Sequence, residues 1–213
     1  MQTLEDLLSH LDQEYSWRLK ELSSMKSLVY QEESGKSQIF IRISVVFLYA
    51  HWEGFIRKAT EFYLDYINEQ GYNYGELNFN LTALGLKSEG LQLDQNSDDI
   101  DRYCKAVSFV LNRATLKVKL PTSNIIKETL ALNSEQLRNL LKTLGLNTTH
   151  YELKEKKLDE MLIKARHDIA HGKRNNIYLT DFEFTYDLVL DFLDHFKNQI
   201  FDSAENFHYL ERT

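Results

Sequence analysis

One proline, Pro121, and eight glycines are all the breakers this 213-residue chain contains. A sheet protein needs such residues at every hairpin, whereas a long helix is interrupted by them, so their scarcity favours helices over strands. Apolar periodicity agrees. Leu4, Leu7, Leu8, Leu11, Tyr15, Leu19, Leu22 and Met25 recur at i, i+3, i+4 and predict a helix over 4–33 that Gly35 ends. Phe40, Ile43, Phe47, Ala50, Phe55, Ile56 and Tyr63 predict a second helix over 37–69, stopping near Gly71. Two long helices joined at Gly35 make an antiparallel hairpin.

The middle of the chain reads differently. Gly71, Gly75, Gly85 and Gly90 fall close together among Asn and Asp, which predicts an irregular excursion over 71–97 with no more than a short helical turn. Helix resumes over about 98–112, capped by Ser97 or Asp98. Thr115 to Leu120 alternate in polarity, as a short strand or an extended linker before Pro121 would. Ser134 caps a short helix ending at Gly145, and a further helix from Thr149 carries Leu153, Leu158, Met161, Leu162 and Ala165 inward. Thr180 with Glu183 reads as a capping box opening a last helix through Phe184, Leu188, Leu190, Phe192, Leu193 and Phe196. The expected fold is all-α: one antiparallel helical bundle over 1–213, with 71–122 as an irregular insertion.

Composition narrows the function. Net charge is −7, which argues against a broad basic face that coats nucleic acid, though not against a small basic pocket. Cys104 is the only cysteine, so an intrachain disulfide and a cysteine-based zinc site are excluded, and a reducing, cytoplasmic setting is expected. The start, Met1 to Asp6, lacks the basic and apolar regions of a secretion signal. The apolar run at Val45–Ala50 is too short to span a bilayer, so no membrane is expected as a partner.

The chemistry is concentrated in Ala165-Arg166-His167-Asp168-Ile169-Ala170-His171-Gly172. Histidine exchanges protons near neutral pH, and the arginine fork fits a phosphate. Lys164, Arg166, Lys173 and Arg174 stand against the single acid Asp168 over 164–174, so positive charge gathers where the histidines are. On an ideal helix Arg166 and His171 lie roughly 140° apart, at 100° per residue, so convergence within one chain needs a loosened last turn at Gly172.

Other readings compete. His167 and His171 have the i, i+4 spacing of a two-histidine metal site, but the zinc-peptidase pattern has glutamate where Asp168 stands. His167-Asp168 is similar to the core of HD-type metal phosphohydrolases, which place an apolar residue where Arg166 stands. Arg166 near a helix end is also an ordinary solvated charge, and Tyr49, Trp52 and Phe55 at helical spacing are ordinary core. Glu53 amid those aromatics needs a partner. His10, His150, His195 and His208 show no constellation.

Arg166 followed by His171, together with Leu48-Tyr49-Ala50-His51-Trp52-Glu53-Gly54-Phe55-Ile56, resembles a bacterial stand-alone branch of the HEPN superfamily. The resemblance implies a metal-independent endoribonuclease without cofactors, acting as a homodimer whose two motifs build one cleft, often as a toxin or an antiviral effector with an inhibitor protein as partner. It implies catalytic roles for Arg166 and His171, support from His167, Asp168 and Glu53 (the last gripping Arg166), and RNA attraction by Lys173 and Arg174. The same residues would also serve a non-catalytic module that dimerises and binds a nucleotide or a protein.

Overall fold

The computed structural model describes residues 2–31, 37–91, 99–123, 125, 131–174 and 176–211. Its helices are α1 (Leu4–Gln31), α2 (Ser37–Glu69), α3 (Phe79–Ser88), α4 (Ile100–Asn112), α5 (Ser134–Leu144), α6 (Thr149–Glu152), α7 (Glu155–Lys157), α8 (Ala165–Ala170) and α9 (Leu179–Glu205), with a π-helical segment, Leu158–Lys164, joining α7 to α8. Among the described residues, β structure is limited to the isolated bridges Asn73↔Lys117 and Leu77↔Leu210. The all-α expectation holds.

Helices α1, α2 and α9 form the body of the bundle. Side-chain contacts fix their directions. Gln70 reaches the carbonyl of Gln2 while Arg18 reaches that of His51, so α1 and α2 are antiparallel. Lys197 pairs with Asp12 and Lys26 with Asp187, so α9 also runs against α1. Trp52 beside Phe192 and Tyr63 bonded to Ser203 set α2 and α9 parallel. Between the three, Leu7, Leu11, Leu22, Leu48, Phe55, Phe182, Phe192 and Phe196 are fully buried, and this apolar burial is the main force holding the fold. Helix α2 is long and apolar enough to cross a membrane by composition, correcting what the short run at 45–50 suggested, yet half of its most apolar window lies inside this core.

Several local expectations are corrected. The excursion over 71–97 contains a full helix, α3, with Gly85 in its interior. A Cβ at Gly85 would sit 2.2 Å from the Tyr74 ring, so the glycine is there to admit an aromatic side chain and not to break the helix. The segment around Thr115 to Leu120 is a linker pinned at one bridge, with Leu120 exchanging two bonds with the Asn68 side chain. Asn133, not Ser134, caps α5, while Gly145 ends it in the left-handed conformation as expected. Thr180 does not cap α9, which starts one residue earlier, and Glu183 bonds the Tyr30 hydroxyl instead. Leu153 is 90% exposed, because the chain breaks between α6 and α7 and loses the predicted register there. Asp99 caps α4; Gly35, Ser97 and Asp98, expected at helix ends, lie outside the described residues.

Candidate active site

The Arg166–His171 segment is held at both ends. Upstream, the π-helical turn buries Leu158 and Leu162. It is tied to the start of α5 by Asp159, which accepts from the Ser134 amide at 2.9 Å and from its hydroxyl, and by the two-pronged Arg138–Glu155 pair beside it. Seven π-helical residues shift the faces of the helix that follows, a device frequent at functional sites. Downstream, Gly172 has φ 72°, its N–H donates to Ile169 O at 3.0 Å, and the Lys173 N–H donates to Asp168 O at 2.9 Å. This Schellman closure satisfies the last carbonyls and turns the chain sharply after His171.

The segment lies against α2 in a constant antiparallel register. The Gln38 side chain exchanges two hydrogen bonds with the backbone of Ile177, at 2.9 and 3.2 Å. Arg42 donates to the Lys173 carbonyl at 2.8 Å. The Arg166 guanidinium lies 4.5 Å from the centre of the Tyr49 ring. Position 38 therefore faces 177, 42 faces 173 and 49 faces 166. Gln38 and Arg42 carried no signal in the sequence; they are seen only when the two segments are side by side. The Arg42 Nε is buried without a hydrogen-bond partner.

Tyr49 is nearly buried, and its oxygen accepts the Leu132 N–H at 3.0 Å. Burial pushes its hydroxyl up to about 12, with neighbouring Glu53 adding to the rise and Arg166 opposing it. The phenol stays protonated and acts as a platform. Glu53 forms its ion pair with Arg57, at 2.6 Å to Nη2 and 3.1 Å to Nε, and it is the Tyr49 ring that seats Arg166. Trp52 is core, as its spacing allowed, and its indole donates to Leu132 O at 3.2 Å. Gly54 leaves room for Arg18, a residue 8% exposed: a Cβ there would lie 2.9 Å from its guanidinium, which packs over Trp17.

The structure brings His171 to His167, not to Arg166. The last turn stays helical, with the His171 N–H on His167 O at 3.1 Å, and the two exposed rings sit 4.3 Å apart. The loosened turn that convergence would need at Gly172 is absent, so the helical offset of roughly 140° between Arg166 and His171 remains. Asp168 is buried and binds the Lys173 ammonium at 2.7 Å, which ties back one of the two cations expected to attract RNA; Arg174 is exposed. Asp168 and His167 thus face different surroundings, unlike the adjacent ligands of an HD site. Among the described residues no three His, Cys, Asp or Glu side chains gather as metal ligands would.

A second histidine grouping escaped the sequence reading. His150 and His195 stack at 3.9 Å and 18°. Asp191 accepts from His150 at 2.9 Å and from Lys154 at 2.7 Å. Burial and the neighbouring His150 lower the affinity of His195 for a proton.

A family model described as RiboL-PSP-HEPN matches residues 13–202, nearly the whole chain and both segments that carry the candidate site. The chain belongs to this HEPN family. No curated protein and no solved structure gave a significant match. HEPN membership places the chain among helical modules tied to RNA cleavage or nucleotide binding.

Proposed function

We propose that this HEPN protein is a metal-independent endoribonuclease working as a homodimer, in a cytoplasmic role such as a toxin or an antiviral effector restrained by a partner protein. The observation that carries the reading is the pairing of an anchored Arg166 over Tyr49 with an exposed imidazole, His171, which caps the end of the same short helix. The reaction needs both a general base and a general acid, and each chain supplies one His171, so a second copy completes the site. The α2 face beside them offers the contact: Ile39 and Ile43 are 57% and 60% exposed, next to the half-buried Val46 and Phe47.

In this reading His171 removes the proton from a ribose 2′-hydroxyl and the 2′-oxygen attacks the adjacent phosphorus. The bond to the 5′-oxygen breaks, and the departing alkoxide takes a proton from the partner's His171. Arg166 holds the charge growing on the non-bridging oxygens. His167, in tilted ring contact with His171, orients it; Asp168 fixes the turn; Arg174 draws the backbone. The products are a 2′,3′-cyclic phosphate and a 5′-hydroxyl. The test is cleavage of RNA in EDTA, with end-group analysis and with Arg166→Ala and His171→Ala as variants that lose cleavage while keeping their helical signal. Loss of activity on chelation would overturn the reading.

One observation favours a second reading, a silent nucleotide- or protein-binding module: the Lys173 ammonium is occupied by Asp168. RNA binding without turnover under the same conditions would select it.

A further inference from the structure

An acidic chain that acts on RNA needs a place to hold the strand, and the Arg166–His171 end supplies less positive charge than its sequence suggests, because Lys173 is tied to Asp168. A second basic concavity lies elsewhere. Tyr74, the end of α3, one flank of α4 and the 115–119 linker enclose a cavity of about 700 Å³. Among the described residues, Lys105, Lys117 and Lys119 line it with Glu89 as the one acid, and Tyr74 and Phe109 form its floor.

The cavity is built rather than incidental. The Tyr74 ring packs 4.9 Å from Phe109, in the space that Gly85 leaves. Its hydroxyl exchanges two bonds with the Lys119 backbone, donating to O at 2.9 Å and accepting from N at 3.1 Å. The Tyr74 N–H donates to Leu116 O at 2.9 Å, and Lys117 bonds the Gly71 carbonyl at 2.7 Å. These contacts fix the lysine-bearing linker across the mouth while leaving the side chains of Lys105 and Lys119 exposed. Ammonium groups over a low-dielectric wall focus positive potential. The floor rings are nearly buried, so they offer no face on which a base could stack, and the lysines meet phosphates.

We propose that this cavity is an accessory site for the phosphate backbone of single-stranded RNA. The proposal rests on the ribonuclease reading for the identity of its ligand. It assigns a role to the 71–122 region as a handle on the substrate, remote from the chemistry. Leu120 is bonded to Asn68, nineteen positions along α2 from Tyr49, which at 1.5 Å per residue is about 28 Å. Only a strand longer than the few nucleotides around the scissile bond reaches both places.

The experiment measures binding of a labelled single-stranded RNA to the intact His171→Ala protein across a salt series. Lys105→Ala with Lys119→Ala is compared with Lys20→Ala, an exposed α1 lysine that serves as the charge control. The double variant should bind several-fold more weakly at low salt, with a log–log salt slope shallower by about 0.7 per lysine removed. The control should keep the slope. Equal slopes in all proteins, or no RNA binding by the unaltered surface, overturn the proposal. Cleavage by the parent chain is scored separately: a slope that falls although the parent cuts nothing upholds the cavity and removes the ribonuclease reading.

Discussion

The Arg166 guanidinium rests 4.5 Å above the Tyr49 ring, and the Tyr49 oxygen in turn holds the Leu132 N–H at 3.0 Å. One aromatic side chain thus joins the candidate phosphate-binding group to the segment entering α5. Removing the hydroxyl and removing the ring have separable consequences. Tyr49→Phe keeps the platform and strands the buried Leu132 N–H, so it should cost about 1–3 kcal/mol of stability while retaining cleavage. Tyr49→Leu removes the π face as well, releases Arg166, and should lower cleavage by roughly 10²-fold. Denaturant midpoints and RNA cleavage rates on both variants check this; equal activity in the two would show that the ring does not seat the arginine.

Arg42 should matter more to activity than to stability. Its bond to the Lys173 carbonyl spans 131 residues and holds the turn directly after His171. The bond lost in Arg42→Ala is made by a half-buried side chain, so the stability change should be about 0.5–1.5 kcal/mol. Freeing the turn should cost far more in single-turnover cleavage, and Gln38→Ala, which releases the same segment at Ile177, should act in the same direction. Full activity in both variants would exclude a positioning role for the α2 contacts.

Gly172 tests the backbone alone. Its φ is 72°, and nothing lies within 4 Å of where a Cβ would be, so any penalty is conformational and not steric. Gly172→Ala should destabilise by roughly 1–2 kcal/mol, and Gly172→Asn by less, since asparagine tolerates the left-handed region. Thermal unfolding of the three proteins should rank them Gly, Asn, Ala. An alanine variant as stable as the parent would mean that the turn relaxes without loss.

What the sequence revealed and what it hid follow from the range of the interactions involved. The bounds of α2 and the αL glycine after α5 were readable, because apolar period and capping are local. The Arg166–His171 cluster was readable for the same reason: all its members lie within six positions. Helix α3 was hidden because Gly85 looks like a breaker until Tyr74 is placed against it. The capping box at Thr180 failed because Glu183 had a tertiary partner in Tyr30, 153 positions away. Gln38, Arg42 and the His150–His195 stack belong to the same class, as each is defined by a contact between segments far apart in the chain. The mutual placement of Arg166 and His171 needed the helix end itself, since sequence allowed the last turn to open and the hydrogen bond from His171 to His167 keeps it closed.

Stability should fall on mild acidification, through two histidines, His51 buried and His195 half-buried. His51 is 4% exposed; burial first, and then the facing Arg18 of α1, lower its proton affinity, against a smaller pull from Glu21 of the same helix. His195 is lowered by burial and by His150, with Lys154 acting in the same sense and Asp191 and Asp194 opposing. In both cases the folded pKa lies below the unfolded value of about 6.5. Between the two values the unfolded chain binds protons that the folded chain refuses, so stability rises with pH across that window. The contribution is fully present above about pH 6.5 and is lost as pH falls from there through the folded values. Asp191 acts lower on the scale. Burial raises its pKa, but the bonds from Lys154 and His150 outweigh that and lower it, so its contribution is present above about 3.9 and lost below. Melting temperatures between about pH 7.5 and 5 should therefore tilt downward with acid, and His51→Gln with His195→Gln should flatten the tilt even if it lowers the level. An unchanged slope in the double variant would assign the acid sensitivity to other groups and leave the two histidines as packing alone.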